Sequence, residues 1–232
     1  MFTSDMLNCL FYSVDWKAPS LIANGIINKH YRHIENYAQT SAKTMLKTLS
    51  ADKQFSLFVD SMNKLHESAL YESYVHGKSH IERVAIMSFV LGLRLKLNHD
   101  DLILCLEIAK YHDVGRQNEG EDEQHGLRGA ERIATICGNF SEHDQAVIAA
   151  VVAAHSLRDE CNMDIFQNWD RLRKSQYPRC KLLLDIIKDA DALDRFRLRD
   201  NSLNTCFFRL PDTQQLVRAA CETVHAFDSF HH

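Results

Sequence analysis

An all-α fold is the class this sequence predicts, on three observations. Glycine and proline are scarce, 8 and 3 among 232 residues, so the chain carries little of the punctuation that turns and short strands need. Apolar residues recur at steps of three and four through most of its length, the period of a helix with one buried face. Side chains of the metal-ligating type, His80, the doublet His112-Asp113 and Asp191, fall on three separate segments that each otherwise read as an apolar helix. A metal held between helices is the way an all-α protein builds such a site.

Residues 1–50 read as an accessory N-terminal segment packed on the main domain. They carry Pro19 and the aromatics Phe2, Phe11, Tyr12, Trp16, Tyr31 and Tyr37, with a helix expected over 34–49. Residues 51–232 read as the main domain, ending in C-terminal helices. Phe55, Phe58, Val59, Met62 and Leu65 mark its first helical face, and Ile81, Val84, Ala85, Ser88, Leu91 and Leu95 mark the next. Asp100-Asp101 is expected to cap a helix over 102–111, with His112-Asp113 at its C-terminal end. The acidic stretch 117–124 is a loop, and helices are expected over 127–137 and 143–155. A polar region with Trp169 leads to Pro178, well placed in a first helical turn. The helix it opens runs through Leu182, Leu183, Ile186 and Ile187 into Asp191. No internal repeat and no run of strand alternation is present.

Composition narrows the function classes. A hydrophobic fraction of 45% and a charged fraction of 25% are those of an ordinary globular protein. The formal net charge of −4 gives no bulk attraction to nucleic acid or to an anionic membrane. The basic stretches 171–174 and 195–199 read as solvated helix faces, and no aromatic-basic RNA platform is evident. Seven cysteines, an odd number without a C-x-x-C pair, fit a reducing compartment rather than a disulfide framework. The longest apolar run, 146–154, is far too short to span a bilayer, and the N-terminus lacks the pattern of a signal peptide. A cytoplasmic protein is expected. Neither a G-x-S-x-G, a Walker A nor a G-x-G-x-x-G sequence occurs, which leaves serine-hydrolase and P-loop mechanisms without a foothold.

The segments His76-Gly-Lys-Ser-His80-Ile-Glu-Arg83-Val84, Tyr111-His112-Asp113-Val-Gly115-Arg116 and Asp189-Ala-Asp191-Ala-Leu-Asp194 resemble the ordered H…HD…D motif of the HD-domain superfamily of metal-dependent phosphohydrolases. The resemblance covers roughly residues 60 to 200 and is greatest to the small stand-alone bacterial HD hydrolases. The extended motif of the HD-GYP branch is absent. The resemblance implies an HD-type helical bundle with its metal site between helices. It makes His80, His112, Asp113 and Asp191 the metal ligands, with His112 and Asp113 at the catalytic step. His76 shares a helix face with His80 and is read as substrate-facing or as supporting the ligands. Asp194 is read as a hydrogen-bonding partner and Asp189 as a weaker candidate ligand. His125 and His155 stand where superfamily members with a second metal place extra ligands.

Two imidazoles and two carboxylates suit one or two divalent ions of the Mn, Mg or Fe type better than a thiolate zinc site. Such an ion makes a water nucleophilic near neutral pH and polarises a phosphoryl group. Cations near the ligands would neutralise phosphate charge. Arg83, Arg116 and Lys188 are the leading candidates, with Lys78, Arg128 and Arg195 behind them. The expected activity is hydrolysis of a small phosphate ester or anhydride, with a nucleotide as the expected substrate. Two other classes compete: an HD-fold diiron oxygenase, to which His125 and His155 would contribute, and a non-catalytic module that binds a nucleotide or a partner. A homodimer is compatible with all three.

Overall fold

The computed structural model describes residues 38–198 and 203–230, and these form helices and short 3-10 turns with no strand among them. In chain order the α-helices are α1 (Ala42–Ala51), α2 (Phe55–Asn63), α3 (Lys78–Arg94), α4 (His99–Tyr111), α5 (His125–Ile136), α6 (Glu142–His155), α7 (Asn162–Asn168), α8 (Tyr177–Leu193) and α9 (Val217–Phe230). The chain is all-α, as its period implies.

The axis of the bundle is α6. Ser141 caps it by accepting a hydrogen bond from the Asp144 amide, and every residue from Ala146 to His155 is buried. Its alanines and valines are small enough for α4, α5 and α8 to pack around it. Helix α8 begins with Pro178 in its first turn, where a missing N–H costs nothing. Leu183, Leu184, Ile186 and Ile187 on α8 are all fully buried; burying each such side chain stabilises the fold by roughly 1.5–3 kcal/mol. Helix α3 is enclosed between α4 and α8 and is buried continuously from His80 to Gly92.

The first and last described helices pair. The Ala42 amide donates to Glu222 Oε2 at 2.7 Å, and the Thr40 amide to the Gln215 carbonyl at 2.9 Å, so α1 lies against α9. Met45, Leu46 and Leu49 of α1 join the core. The helix expected over 34–49 starts at Ala42, and the sequence-derived limit at residue 50 falls within the last turn of α1. The stretch before residue 38, with its aromatics, lies outside the described residues, as do Arg199 and His231-His232.

Two local expectations are corrected. The cap of α4 is Asn98, whose Oδ1 accepts from the Asp101 amide at 2.9 Å, rather than Asp100-Asp101. The chain turns through Lys96 in the left-handed region (φ 56°), which leaves Asn98 at the helix start and the two aspartates in its first turn, where the helix dipole favours them. The polar region before Pro178 contains α7, held by a single fully buried ring, Phe166. With a single fully buried apolar side chain, a seven-residue helix leaves no readable period.

Gly115 decides how close α5 comes to the end of α4. A Cβ there would stand 2.1 Å from the His125 carbonyl oxygen and 2.3 Å from the Gly129 nitrogen, both backbone atoms that cannot swing away. Among the described residues no helix is long and apolar enough to cross a membrane. Gly115→Ala is therefore expected to destabilise the protein by about 3 kcal/mol through forced backbone separation, read as a lower midpoint in denaturant unfolding. An unchanged midpoint would show that the α4–α5 approach is looser than described.

Candidate metal centre

The chemistry-bearing side chains sit at helix ends. His80 is in the first turn of α3, His112 caps the C-terminus of α4, and His125 opens α5. His155 closes α6, and Asp191 lies in the last turn of α8. Three of these ends are C-termini, whose free carbonyls carry partial negative charge and favour a cation.

The hydrogen bonds at each imidazole fix which nitrogen faces inward. His112 Nδ1 donates to the Ala109 carbonyl at 2.9 Å, His155 Nδ1 to the Val152 carbonyl at 2.6 Å, and His125 Nδ1 to the Asp122 carbonyl. A carbonyl only accepts, so Nδ1 carries the proton in all three. His80 Nδ1 donates to Asp194 Oδ2 at 2.7 Å. Each imidazole thus turns its Nε2 inward, and the four Nε2 atoms converge. His80 Nε2 lies 3.2 Å from His112 Nε2, and His125 Nε2 lies 2.9 Å from His155 Nε2. Two lone pairs at such distances repel unless a proton or a cation sits with them.

Carboxylates complete the cluster. Asp113 Oδ2 is 3.4 Å from His80 Nε2, while its Oδ1 is 3.0 Å from His125 Nε2 and 3.5 Å from His155 Nε2. Asp191 Oδ1 is 3.5 Å from His80 Nε2. Two overlapping groups have the compactness to hold an ion: His80, His112 and Asp191, and His112, Asp113 and His155. Burial pushes the His112 pKa down to about 3, so its ring is neutral at ordinary pH and free to ligate. Burial pushes Asp113 up, but the imidazoles around it outweigh that and hold it well below the usual carboxylate range. Imidazoles beside carboxylates form a donor set that suits a divalent cation.

The remaining candidates are distributed unevenly. His76 Nδ1 meets Glu119 Oε2 at 2.9 Å, and its ring centre lies 5.9 Å from that of His80. Arg83 is turned inward, its Nε and Nη2 on Asp194 at 2.6 and 3.1 Å. Arg116 Nε donates to Asp113 Oδ2 at 2.9 Å. Lys188 Nζ is occupied by the Leu157 carbonyl, Asp159 and Asn162 at 2.7, 2.7 and 3.2 Å. Lys78 pairs with Glu67 at 2.5 Å, and Arg128 with Asp122 and the Gly115 carbonyl. Asp189 is directed away from the cluster, accepting from the Arg209 and Leu210 amides and from Thr213 Oγ1.

A cavity of about 390 Å³ opens beside Asp191 and His155, with Arg195, Phe207 and Arg209 in its wall. Glu119, Phe207 and Arg209 were not singled out from the sequence, and Arg197, in the stretch 195–199 read as a solvated helix face, is instead turned inward against Asp191 and Asp194. Arg197 had a signal, since it stands three residues after Asp194 and a 3-10 turn places i and i+3 on one side. Glu119 had none, being one acid in an acidic loop.

A family model described as HD domain matches residues 77–195, the span from the start of α3 to just past Asp194. The chain belongs to the HD domain family. No curated protein and no solved structure matches it. HD domains bind divalent metals and are in general metal-dependent hydrolases, and the donor set of this HD domain fits such an ion.

Asp194→Asn is expected to weaken Mn²⁺ binding by about 10–100-fold, the usual cost of losing a carboxylate behind a ligand histidine, measured by calorimetric titration. Asp189→Asn, made in parallel, is expected to leave Mn²⁺ affinity unchanged. Equal losses would mean that neither carboxylate acts on the centre specifically.

Proposed function

We propose that this HD domain is a phosphohydrolase that uses one or two divalent ions, manganese being the first to test, to cleave a small phosphate ester or anhydride. The observation that carries the reading is the convergence of four imidazole Nε2 atoms with Asp113 and Asp191. His80, His112, Asp113 and Asp191 would hold one ion. His125 and His155 would help hold a second, with Asp113 turning one oxygen to each group. An ion there would supply a nucleophilic water near neutral pH and polarise the phosphoryl group.

The chain's own groups divide the remaining work. Arg116 holds Asp113 Oδ2 in place, so the carboxylate keeps its orientation when a water approaches. His76, backed by Glu119, would hand a proton to the leaving oxygen. Glu119 would stabilise the imidazolium that His76 forms each time it takes the proton back. The cavity is within the size range of small-molecule sites, roughly 300–1,000 Å³, and its wall pairs an exposed ring, Phe207, with cations. That mixture supports a nucleotide as the substrate: a planar base against the ring and phosphates toward the centre. The six described cysteines, all unpaired, support the expected cytoplasmic location.

The test is phosphate and pyrophosphate release from a panel of nucleotides and phosphoesters by metal-stripped protein reconstituted with Mn²⁺. Turnover is expected for at least one nucleotide, falling by more than about 100-fold in Asp113→Ala. Turnover that persists in the variant would overturn the reading. Oxygen-dependent turnover with tightly held iron would replace it by the oxygenase. His76→Gln is expected to cut kcat by about 100-fold on substrates with a poor leaving group, and far less on p-nitrophenyl esters, whose leaving group needs no proton. A uniform loss across both would remove His76 from the proton transfer.

A further inference from the structure

Arg197 keeps a buried donor unmatched beside the centre. It ends the 3-10 turn Asp194–Arg197, and its side chain is 9% exposed. Nε donates to the Val75 carbonyl at 2.9 Å, which fixes the plane of the guanidinium. Nη1 lies 3.5 Å from Asp194 Oδ2 and 4.0 Å from Asp191 Oδ1, and makes no hydrogen bond among the described residues.

Asp194 is not the missing partner. Its Oδ2 already accepts from His80 Nδ1 and Arg83 Nη2, and its Oδ1 from Arg83 Nε. With two lone pairs per carboxylate oxygen, Oδ2 has none to spare. A buried polar group left without a partner is rare in a native fold and calls for an explanation. The other cations near the ligands are already engaged: Arg83 on Asp194 and over the Phe227 ring at 5.2 Å, Arg116 on Asp113, Lys188 on three acceptors.

The chemistry of the absent acceptor follows from its surroundings. A guanidinium repels a metal ion, so the acceptor is not the ion itself. It must be an oxygen that can lie beside Asp191, on the side where Val75 and His76 approach α3. A charged oxygen is the better match for an arginine N–H, since charge-assisted bonds are roughly twice as strong as neutral ones. Resting on the phosphohydrolase reading, we propose that Arg197 Nη1 forms an oxyanion subsite and donates to a non-bridging oxygen of the phosphoryl group at the HD centre. The Val75 carbonyl holds the guanidinium and the next residue carries the His76 imidazole, so one backbone segment sets oxyanion donor and proton donor together.

Orthophosphate binding to the full-length, Mn²⁺-loaded protein tests the subsite, followed by calorimetry, with Mn²⁺ affinity and Tm measured on the same samples. Arg197→Gln is expected to weaken phosphate by about 10–100-fold while Mn²⁺ affinity stays within about threefold. Arg197→Lys keeps the charge against Asp191 and Asp194 and guards against misfolding; it is expected to keep the wild-type Tm and lose about fivefold, because a lysine lacks the planar fork. Unchanged phosphate binding in both variants would overturn the subsite and leave the hydrolase reading standing. Parallel loss of Mn²⁺, Tm and phosphate in both would make Arg197 a clamp on Asp194 and overturn it as well. A wild-type protein that binds Mn²⁺ but no phosphate would bring down the hydrolase reading and the subsite together.

Discussion

The buried Asp194 carboxylate is the constraint on which the site depends. It is fully enclosed, and an isolated ionised carboxylate in that position would cost several kcal/mol. Here it accepts two hydrogen bonds from Arg83 and one from His80. Burial pushes its pKa up, yet Arg83 and His80 outweigh that and keep it ionised. Because the carboxylate holds the His80 Nδ1 proton, Nε2 is the nitrogen turned toward the centre. Arg83 lies over the Phe227 ring on α9, so one carboxylate links α3, the turn after α8 and the C-terminal helix.

The same device recurs with cheaper parts. His112, His125 and His155 each donate Nδ1–H to a carbonyl three residues earlier. For His112 and His155 that carbonyl belongs to the last turn of their own helix, where it has no amide partner further along. Ending α4 and α6 on a histidine thus satisfies an orphan carbonyl and aims a lone pair in one stroke. The outcome is a cluster of imidazole nitrogens and carboxylate oxygens, an arrangement that suits a cation. Side chains around this cluster separate by role: Arg116 steadies Asp113, His76 and Arg197 stand on the Val75 side, and the cavity with Phe207 opens beside His155.

Much of this is legible in the sequence. The helices over 55–63, 78–94 and 177–193 follow from apolar steps of three and four, because a buried helical face imposes that period on the chain. His80, His112, Asp113 and Asp191 were legible from their order and the residues around them, and the structure draws His125 and His155 to the same point. Less was legible where several residues compete for one role. Asn98, Asp100 and Asp101 are all good caps, and the turn at Lys96 selects the first. Lys188, Arg83 and Arg116 are alike as cations in the sequence, but their partners differ: Asp159 and Asn162 for the first, Asp194 for the second, Asp113 for the third.

The sequence by itself determined the all-α class, the main helices and the stock of imidazole and carboxylate donors, since each is a property of composition or local spacing. Only the tertiary structure decided which nitrogen of each histidine faces the centre and which cations are already spent. Those are questions of hydrogen-bond partners, and the partners come from afar: His80 and Asp194 are separated by 114 residues, and Arg197 and Val75 by 122. No periodicity reaches across such distances. The unmatched Nη1 of Arg197 became visible only once every neighbouring acceptor had been placed.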